Sequence, residues 1–507
     1  MKKLLLCAFT AHSLAAAAQT DSLPSFIKDS LDIYVNRALQ EWKIPGVAVC
    51  VVKNGKIALM KGYGVKEMNG SDPVDENTLF MIGSNTKAFT ATAMAMLEAD
   101  KKLTLDDKVQ KWLPAFTMYD PWVGKEAMLR DLLCHRLGFE TFQGDFMYFD
   151  SDLTAKEVME KMGKLKPKYG FRSKWGYTNS AFAVAGAVIQ KASGSSWDQY
   201  LTEKIFRPLG MDRTLALSAG INQATNKAAA HTVVMGELQK IPYGNIDNMA
   251  PAGSIASSAN DMSKWVTALL ANGKWDGKQV IPAAAIAQTR TPHSILGNGG
   301  HPFNKAHFAL YGLGWFLEEY AGRKIVAHTG GVNGFVTSVC LVPEDKLGII
   351  VLTNTDANNF YEALRNEIED ACLGLPYRNY SRLYLQRHRA NEQEEAKAYK
   401  KIRDSIDLHP QSALPLSAYA GEYKHDVYGS MTMTVENNKL IMRFQHHHGR
   451  YGTLEALGGN HFYCTYSDPI YGRKKLSFTV AGNKVQSIGV EVADFIEFGS
   501  YDFKKVK

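Results

Sequence analysis

Cysteine is scarce in this chain of 507 residues: six occur, none in Cys-x-x-Cys spacing. A disulfide scaffold is therefore not expected, and stability must come from a packed core. Cys50, Cys134, Cys340, Cys372 and Cys464 are scattered and odd in number, and Cys7 lies in a leader. Cys50 and Cys340 sit in apolar strand-like runs, which predicts buried free thiols. Long apolar stretches are lacking too, and none beyond the leader reaches the roughly 20 residues that span a bilayer. No Gly-x-Ser-x-Gly elbow is present, which disfavours an α/β-hydrolase. Gly330-Gly331-Val332-Asn333-Gly334 has the wrong glycine spacing for a dinucleotide loop. Charge of one sign does not dominate either. The balance of 58 basic and 51 acidic residues gives +7, and no nucleic-acid partner is called for.

What is present is ordinary globular composition, 45% hydrophobic and 21% charged, enough apolar surface for a sizeable core. Lys2 and Lys3 precede an apolar stretch from Leu4 to Ala18 that closes on Ala16-Ala17-Ala18. That pattern predicts a secretory signal over residues 1–18, cleaved near Ala18, and a secreted protein, periplasmic or extracellular. Cys7 comes too early in the run to be a lipoprotein anchor.

Val47 to Val52, Asn54-Gly55 and Lys56 to Met60 read as a β-hairpin. A helical middle starts near Ser84, with one apolar helix through Leu97 and a second from Ser180 to Lys191, ended by Ser193-Gly194. Lys324 to Ala327, Phe335 to Val342 and Leu347 to Leu352 read as three consecutive strands. Strands at both ends of a helical insert predict one α/β unit of the α+β type over residues 24–385, its sheet mostly antiparallel. A mixed-charge run over 386–412 reads as a solvated helical linker. Residues 413–507 alternate in short β runs (Met431 to Val435, Leu440 to Phe444, Leu476 to Val480, Val485 to Val490), which predicts a small antiparallel barrel or sandwich.

Three short motifs could carry chemistry. Ser84 and Lys87 stand three apart at the start of a buried helix and would share a face. Desolvation lowers a lysine pKa, so Lys87 could hold the proton that a serine nucleophile must lose. Tyr177-Thr178-Asn179 precedes the second apolar helix. A phenol beside an ammonium is pulled down in pKa and can act as a base, and Asn179 can offer its amide to substrate. His328-Thr329-Gly330-Gly331 closes the strand from Lys324, where glycines would let a substrate approach the backbone, and the imidazole and hydroxyl could hold a carboxylate or carbonyl. Other features read as structural. Ser25-Phe26-Ile27-Lys28 repeats the first spacing within an amphipathic helix, and His135 reads as core packing. His446-His447-His448 reads as a solvated hairpin rather than a metal site. No motif asks for a cofactor or metal.

In order and spacing, Ser-x-x-Lys, Tyr-x-Asn and His-Thr-Gly together strongly resemble the penicillin-recognising serine hydrolases: class C β-lactamases, D-alanyl-D-alanine carboxypeptidases and related esterases and D-aminopeptidases. Ile44-Pro45-Gly46-Val47-Ala48-Val49, Thr78-Leu79-Phe80, Pro251-Ala252-Gly253, Tyr311-Gly312-Leu313-Gly314-Trp315 and Leu352-Thr353-Asn354 are similar to the same family. The C-terminal segment resembles the lipocalin-like barrel appended to some members. The resemblance implies a β-lactamase-like antiparallel sheet flanked by helices. It also implies an acyl-enzyme on Ser84, proton handling by Lys87 and Tyr177, substrate binding by Asn179, His328, Thr329 and Gly330, and an oxyanion hole from the backbone N–H groups of Ser84 and Gly331. Neither Lys-Thr-Gly nor Lys-Ser-Gly occurs. Histidine in that place is more similar to the D-peptide peptidase and esterase branches than to the β-lactamases. The expected substrate is a small or D-residue-containing peptide, with an ester or a β-lactam as alternatives. The resemblance also admits a penicillin-binding sensor that does not turn over.

Overall fold

The computed structural model describes residues 23–298, 300–304 and 306–506. The expected signal segment, residues 1–18, lies outside the described residues. Strands β1 (Gly46–Lys53) and β2 (Lys56–Gly64) form the hairpin. Its turn residues Asn54 and Gly55 have φ of 53° and 74°, the left-handed pair that a two-residue hairpin loop requires. The remaining strands of the same sheet are β3 (Ser294–Gly297), β4 (Ala309–Tyr311), β5 (Phe316–Tyr320), β6 (Arg323–Val332), β7 (Phe335–Val342) and β8 (Leu347–Thr353). They run antiparallel in the order β2-β1-β8-β7-β6-β5-β4-β3, so the two ends of the unit meet at the β1–β8 pair.

Both faces of this sheet are covered, which is why β1 reads as an unbroken apolar run and not as an alternation. Ala48, Cys50 and Val52 pack toward the helical region. Val47, Val49 and Val51 pack toward α1 (Leu31–Glu41) and α5 (Phe360–Cys372). The helical region lies between β2 and β3. It contains α2 (Thr86–Ala99), buried from Thr86 to Leu97, α3 (Ser180–Ser193) and α4 (Ala259–Leu270). Phe89 of α2 stacks on Trp265 of α4 with ring centroids 4.1 Å apart. Cys50 and Cys340 are buried free thiols. No helix among the described residues is long and apolar enough to cross a membrane.

The mixed-charge run is helical as far as Ile406, within α6 (Tyr380–Ile406), and residues 407–412 lie beyond the helix; the start of α6 is capped by the Asn379 side chain accepting from Arg382 N–H. Beyond it, β9 (Gly421–His425), β10 (Gly429–Glu436), β11 (Lys439–Phe444), β12 (Tyr451–Gly458), β13 (His461–Tyr466), β14 (Arg473–Ala481), β15 (Lys484–Val490) and β16 (Tyr501–Lys505) close an antiparallel barrel. The apolar cores of barrel and helical region are continuous. Phe146, from the helical region, packs among Tyr428, Phe444, His447, Tyr471 and Tyr501 of the barrel.

One expectation about the barrel is corrected. The histidine triplet lies in the turn after β11 and is not a solvated hairpin. His447 is buried, stacked on Phe146 and bonded through Nε2 to the Phe146 carbonyl at 2.9 Å. His446 Nδ1 and His448 Nε2 each lie 2.7 Å from a different oxygen of Asp152. The triplet fastens the barrel to the helical region, a use that depends on a partner almost 300 residues away.

Candidate active site

Ser84 sits in a single 3-10 turn, Gly83–Asn85, that feeds directly into α2. The turn needs glycine before the serine. Gly83 has φ +52°, and a Cβ there would lie 2.8 Å from the Gly331 nitrogen. Lys87 follows one turn later on the same face and is wholly buried. Its Nζ lies 3.0 Å from Ser84 Oγ and donates to the Ala252 carbonyl at 2.7 Å. Burial holds the Lys87 amine well below the usual lysine range, with Asp145 pulling the other way. An uncharged amine has a lone pair to offer a hydroxyl proton.

Tyr177 projects from the residue run just ahead of α3, with Lys87 Nζ 4.7 Å from its ring centroid. Its hydroxyl forms no well-aligned hydrogen bond among the described residues. Burial pushes the phenol well up, the neighbouring Ser84 hydroxyl only partly opposing it. The expected downward pull of an ammonium on this phenol is therefore not what governs it. Burial acts on both groups and favours the neutral form of each. His135 also packs against Tyr177, ring centroids 4.3 Å apart, and its Nδ1 accepts from Thr178 N–H at 3.0 Å.

Asn179 donates through Nδ2 to Asp145 Oδ2 at 2.5 Å. Asp145 was not anticipated from sequence. Its Oδ1 is buried and makes no well-aligned hydrogen bond among the described residues, and burial, then Glu497, pushes its carboxyl well above the usual range, with Asn179 and Tyr148 opposing. Glu497 comes from the barrel. One of its oxygens accepts from Gly144 N–H at 2.6 Å and Tyr428 Oη–H at 2.7 Å, the other from Phe146 N–H at 2.9 Å. Burial raises Glu497 to about 7. The one local signal for this loop is Gly144, held at φ +92°.

The third motif lies inside β6 rather than closing it, since the strand continues to Val332 with His328 opposite Val339 and Gly330 opposite Thr337. His328 is 2% exposed. Its Nε2 lies 3.0 Å from the Tyr311 hydroxyl and its Nδ1 2.6 Å from the Thr329 carbonyl. Burial, helped by Lys87, lowers it to about 3, so the ring is neutral. Both nitrogens are engaged within the protein, so His328 has no unengaged ring nitrogen to offer the cavity it lines. Gly330 does not make room for substrate. A Cβ there would lie 1.9 Å from the Ile82 carbonyl oxygen, so this glycine admits the protein's own backbone, two residues before Ser84. Thr329 and Gly331 do line the cavity.

That cavity has a volume of about 290 Å³ and brings Ser84, Tyr177, Asn179, Thr329 and Gly331 onto one surface, with aromatic side chains lining much of the rest. Lysine and arginine are absent from the described residues that line it.

Comparison with known proteins agrees with this geometry. Residues 31–371 match the Beta-lactamase family, and residues 407–505 match a domain of unknown function, DUF3471. Unguisins hydrolase ungD of Aspergillus violaceofuscus (strain CBS 115571) is 28% identical over 487 residues, covering 88% of this chain and 83% of its own. Protein flp of Staphylococcus aureus (strain MW2) is 26% identical over 351 residues, covering 65% of this chain and 64% of its own. The octameric penicillin-binding protein homologue from Pyrococcus abyssi superposes with a TM-score of 0.59 at 21% identity, over 94% of this chain and 99% of its own, a likeness of fold. A family match across the whole sheet and helical region, on a fold with that neighbour, leaves one assignment: the chain belongs to the beta-lactamase family of serine hydrolases.

Proposed function

We propose that this protein is a secreted serine hydrolase that cleaves an amide or ester through an acyl-enzyme on Ser84. The observation that carries the reading is the contact of 3.0 Å between Ser84 Oγ, which lines the cavity, and the wholly buried Lys87 amine behind it, beside Tyr177. Ser84 Oγ attacks the carbonyl carbon while its proton passes to the neutral Lys87 amine. Negative charge develops on the carbonyl oxygen and meets the backbone N–H groups of Ser84 and Gly331. The carbon–nitrogen or carbon–oxygen bond then breaks, and the leaving group takes a proton from the Tyr177 phenol, which Lys87 replaces. Water, losing its proton to the same pair, attacks the ester carbonyl and frees Ser84. Asn179 orients the substrate amide.

Within this class the favoured substrate is a small or D-residue-containing peptide. Histidine at the head of the third motif supports it, and similarity to a protein named as a hydrolase of unguisins supports hydrolysis in general. A carboxylesterase is the second reading, favoured by the absence of lysine and arginine among the described cavity residues. Incubation with a fluorophosphonate followed by mass spectrometry places an adduct on Ser84. Ser84→Ala abolishes both adduct and turnover, while Ser25→Ala, in the repeated spacing near the N-terminus, retains them. Hydrolysis of a D-alanyl dipeptide, p-nitrophenyl acetate and nitrocefin side by side separates peptidase, esterase and β-lactamase. Acylation with turnover of none identifies a sensor, and a folded chain with no adduct on Ser84 removes the nucleophile assignment.

A further inference from the structure

The barrel does more than dock. Between β15 and β16 it sends a segment into the active site, where Phe495 and Ile496 line the cavity that holds Ser84. The Phe495 ring stands over the third motif, its Cε2 atom 3.3 Å from where a Cβ on Gly331 would be. It packs edge-on with Phe149, ring centroids 6.5 Å apart, and three residues on Phe498 stacks on Phe142 at 5.7 Å. Phe495 is 40% exposed, a large apolar ring turned to an open cavity. Glu497 pins the same segment to the loop that carries Asp145, through the Gly144 and Phe146 N–H groups.

We propose that the C-terminal barrel completes the active site: Phe495 is a specificity-determining wall for an uncharged aromatic or branched apolar group beside the scissile bond, and Glu497 is the positioning residue that holds the wall in place. The proposal rests on the acyl-enzyme reading above. Its substrate class follows from the lining. Phe142, Phe149, Trp175, Phe316 and Phe495 surround the space, and no described lining residue carries a positive charge. A substrate carboxylate placed there would be desolvated without a partner.

The test uses the full chain and three p-nitrophenyl esters: acetate, phenylacetate and the anionic hemisuccinate. The wild type is expected to prefer phenylacetate over acetate and to reject the hemisuccinate. Phe495→Ala lowers the phenylacetate-to-acetate ratio of kcat/KM about tenfold, and Phe495→Leu lowers it less, as expected for lost apolar contact in a pocket. Glu497→Gln moves the ratio in the same direction, with KM for phenylacetate rising more than kcat falls. Wild type labelled on Ser84 whose ratio stays within twofold in both Phe495 variants overturns the wall. Hemisuccinate hydrolysed as fast as acetate overturns the substrate class. Wild type that is not labelled on Ser84 refutes the acyl-enzyme reading instead, so the two failures are distinct.

Discussion

Gly330→Ala probes how tightly the third motif is pressed against the nucleophile. The added methyl would lie 1.9 Å from the Ile82 carbonyl oxygen, 2.8 Å from the Ile82 carbonyl carbon and 2.8 Å from Thr337 Oγ1. Ordinary contact begins near 3.4 Å, so strand and nucleophile turn must separate by about 1.5 Å. The Ile82 carbonyl cannot swing aside freely, because Thr337 Oγ1 donates to it at 2.9 Å and Asn85 Nδ2 at 3.2 Å. Relief must come from moving β6 or the turn that carries Ser84, and either changes the relation of Ser84 to Gly331. Overpacking of this kind costs about 1–3 kcal/mol of stability, and a misplacement near 1 Å costs about 100-fold in rate. The assay is the second-order rate of fluorophosphonate labelling at Ser84, paired with a thermal melt. Gly300→Ala serves as control, since nothing lies within 4 Å of its Cβ position. A Gly330→Ala chain that melts like wild type and labels within threefold of its rate would refute the reasoning.

Two further perturbations address charge. His328→Lys would restore the lysine that heads the third motif of class C β-lactamases, but it places a second amine beside Lys87 in a site that is 2% exposed. It is expected to destabilise the fold by about 3 kcal/mol, the cost of an unpaired buried charge, without raising nitrocefin turnover; increased turnover at an unchanged melting temperature would contradict this. His447 at the barrel junction is lowered by burial from 6.5 to about 4. Its neutral form is the one the fold accepts, so its contribution is full above pH 6.5 and is lost as pH falls toward 4, by about 3 kcal/mol in all. Urea unfolding at pH 7 and pH 4.5 should show a smaller difference in His447→Gln than in wild type, and equal differences would count against the assignment.

The residues that face one another along short stretches were the ones legible in sequence. Ser84 and Lys87 are three apart at a buried helix start, and Asn54-Gly55 marks the first hairpin without ambiguity, so local periodicity sufficed for both. Four barrel strands escaped, among them Gly421–His425 and Tyr501–Lys505, which are five residues long and hold only one and two aromatic residues, too few for a period to show. The end of β6 was set too early, since glycine reads as a strand breaker while here its missing side chain is what lets the strand lie against Ile82. Asp145 and Glu497 carried no motif at all. They matter because a loop near residue 145 and a loop near residue 495 meet, and only the closed barrel determines that they do.

Burial also explains why these particular groups can work together. Lys87 and His328 are driven down and Tyr177 and Asp145 up, and in each case the largest influence is removal from water. The shared direction is toward the neutral form of all four groups. A site pushed that way disfavours an ammonium or imidazolium that would attract an anionic ground state, and its walls of phenylalanine and tryptophan favour an uncharged one. On the proposed mechanism charge first appears when Ser84 loses its proton and the carbonyl oxygen gains electrons, at the oxyanion hole proposed for the backbone N–H groups of Ser84 and Gly331. Phe495 and Ile496 of the barrel are among the residues that line this site. If Phe495 and Ile496 withdraw, water reaches Lys87 and Tyr177, the downward and upward pushes relax, and the lysine regains its proton before any substrate arrives. The barrel segment would then control two properties at once, which acyl group fits and whether Lys87 is a free base, and variants at Phe495 should shift the pH profile of Ser84 labelling upward together with the ester preference.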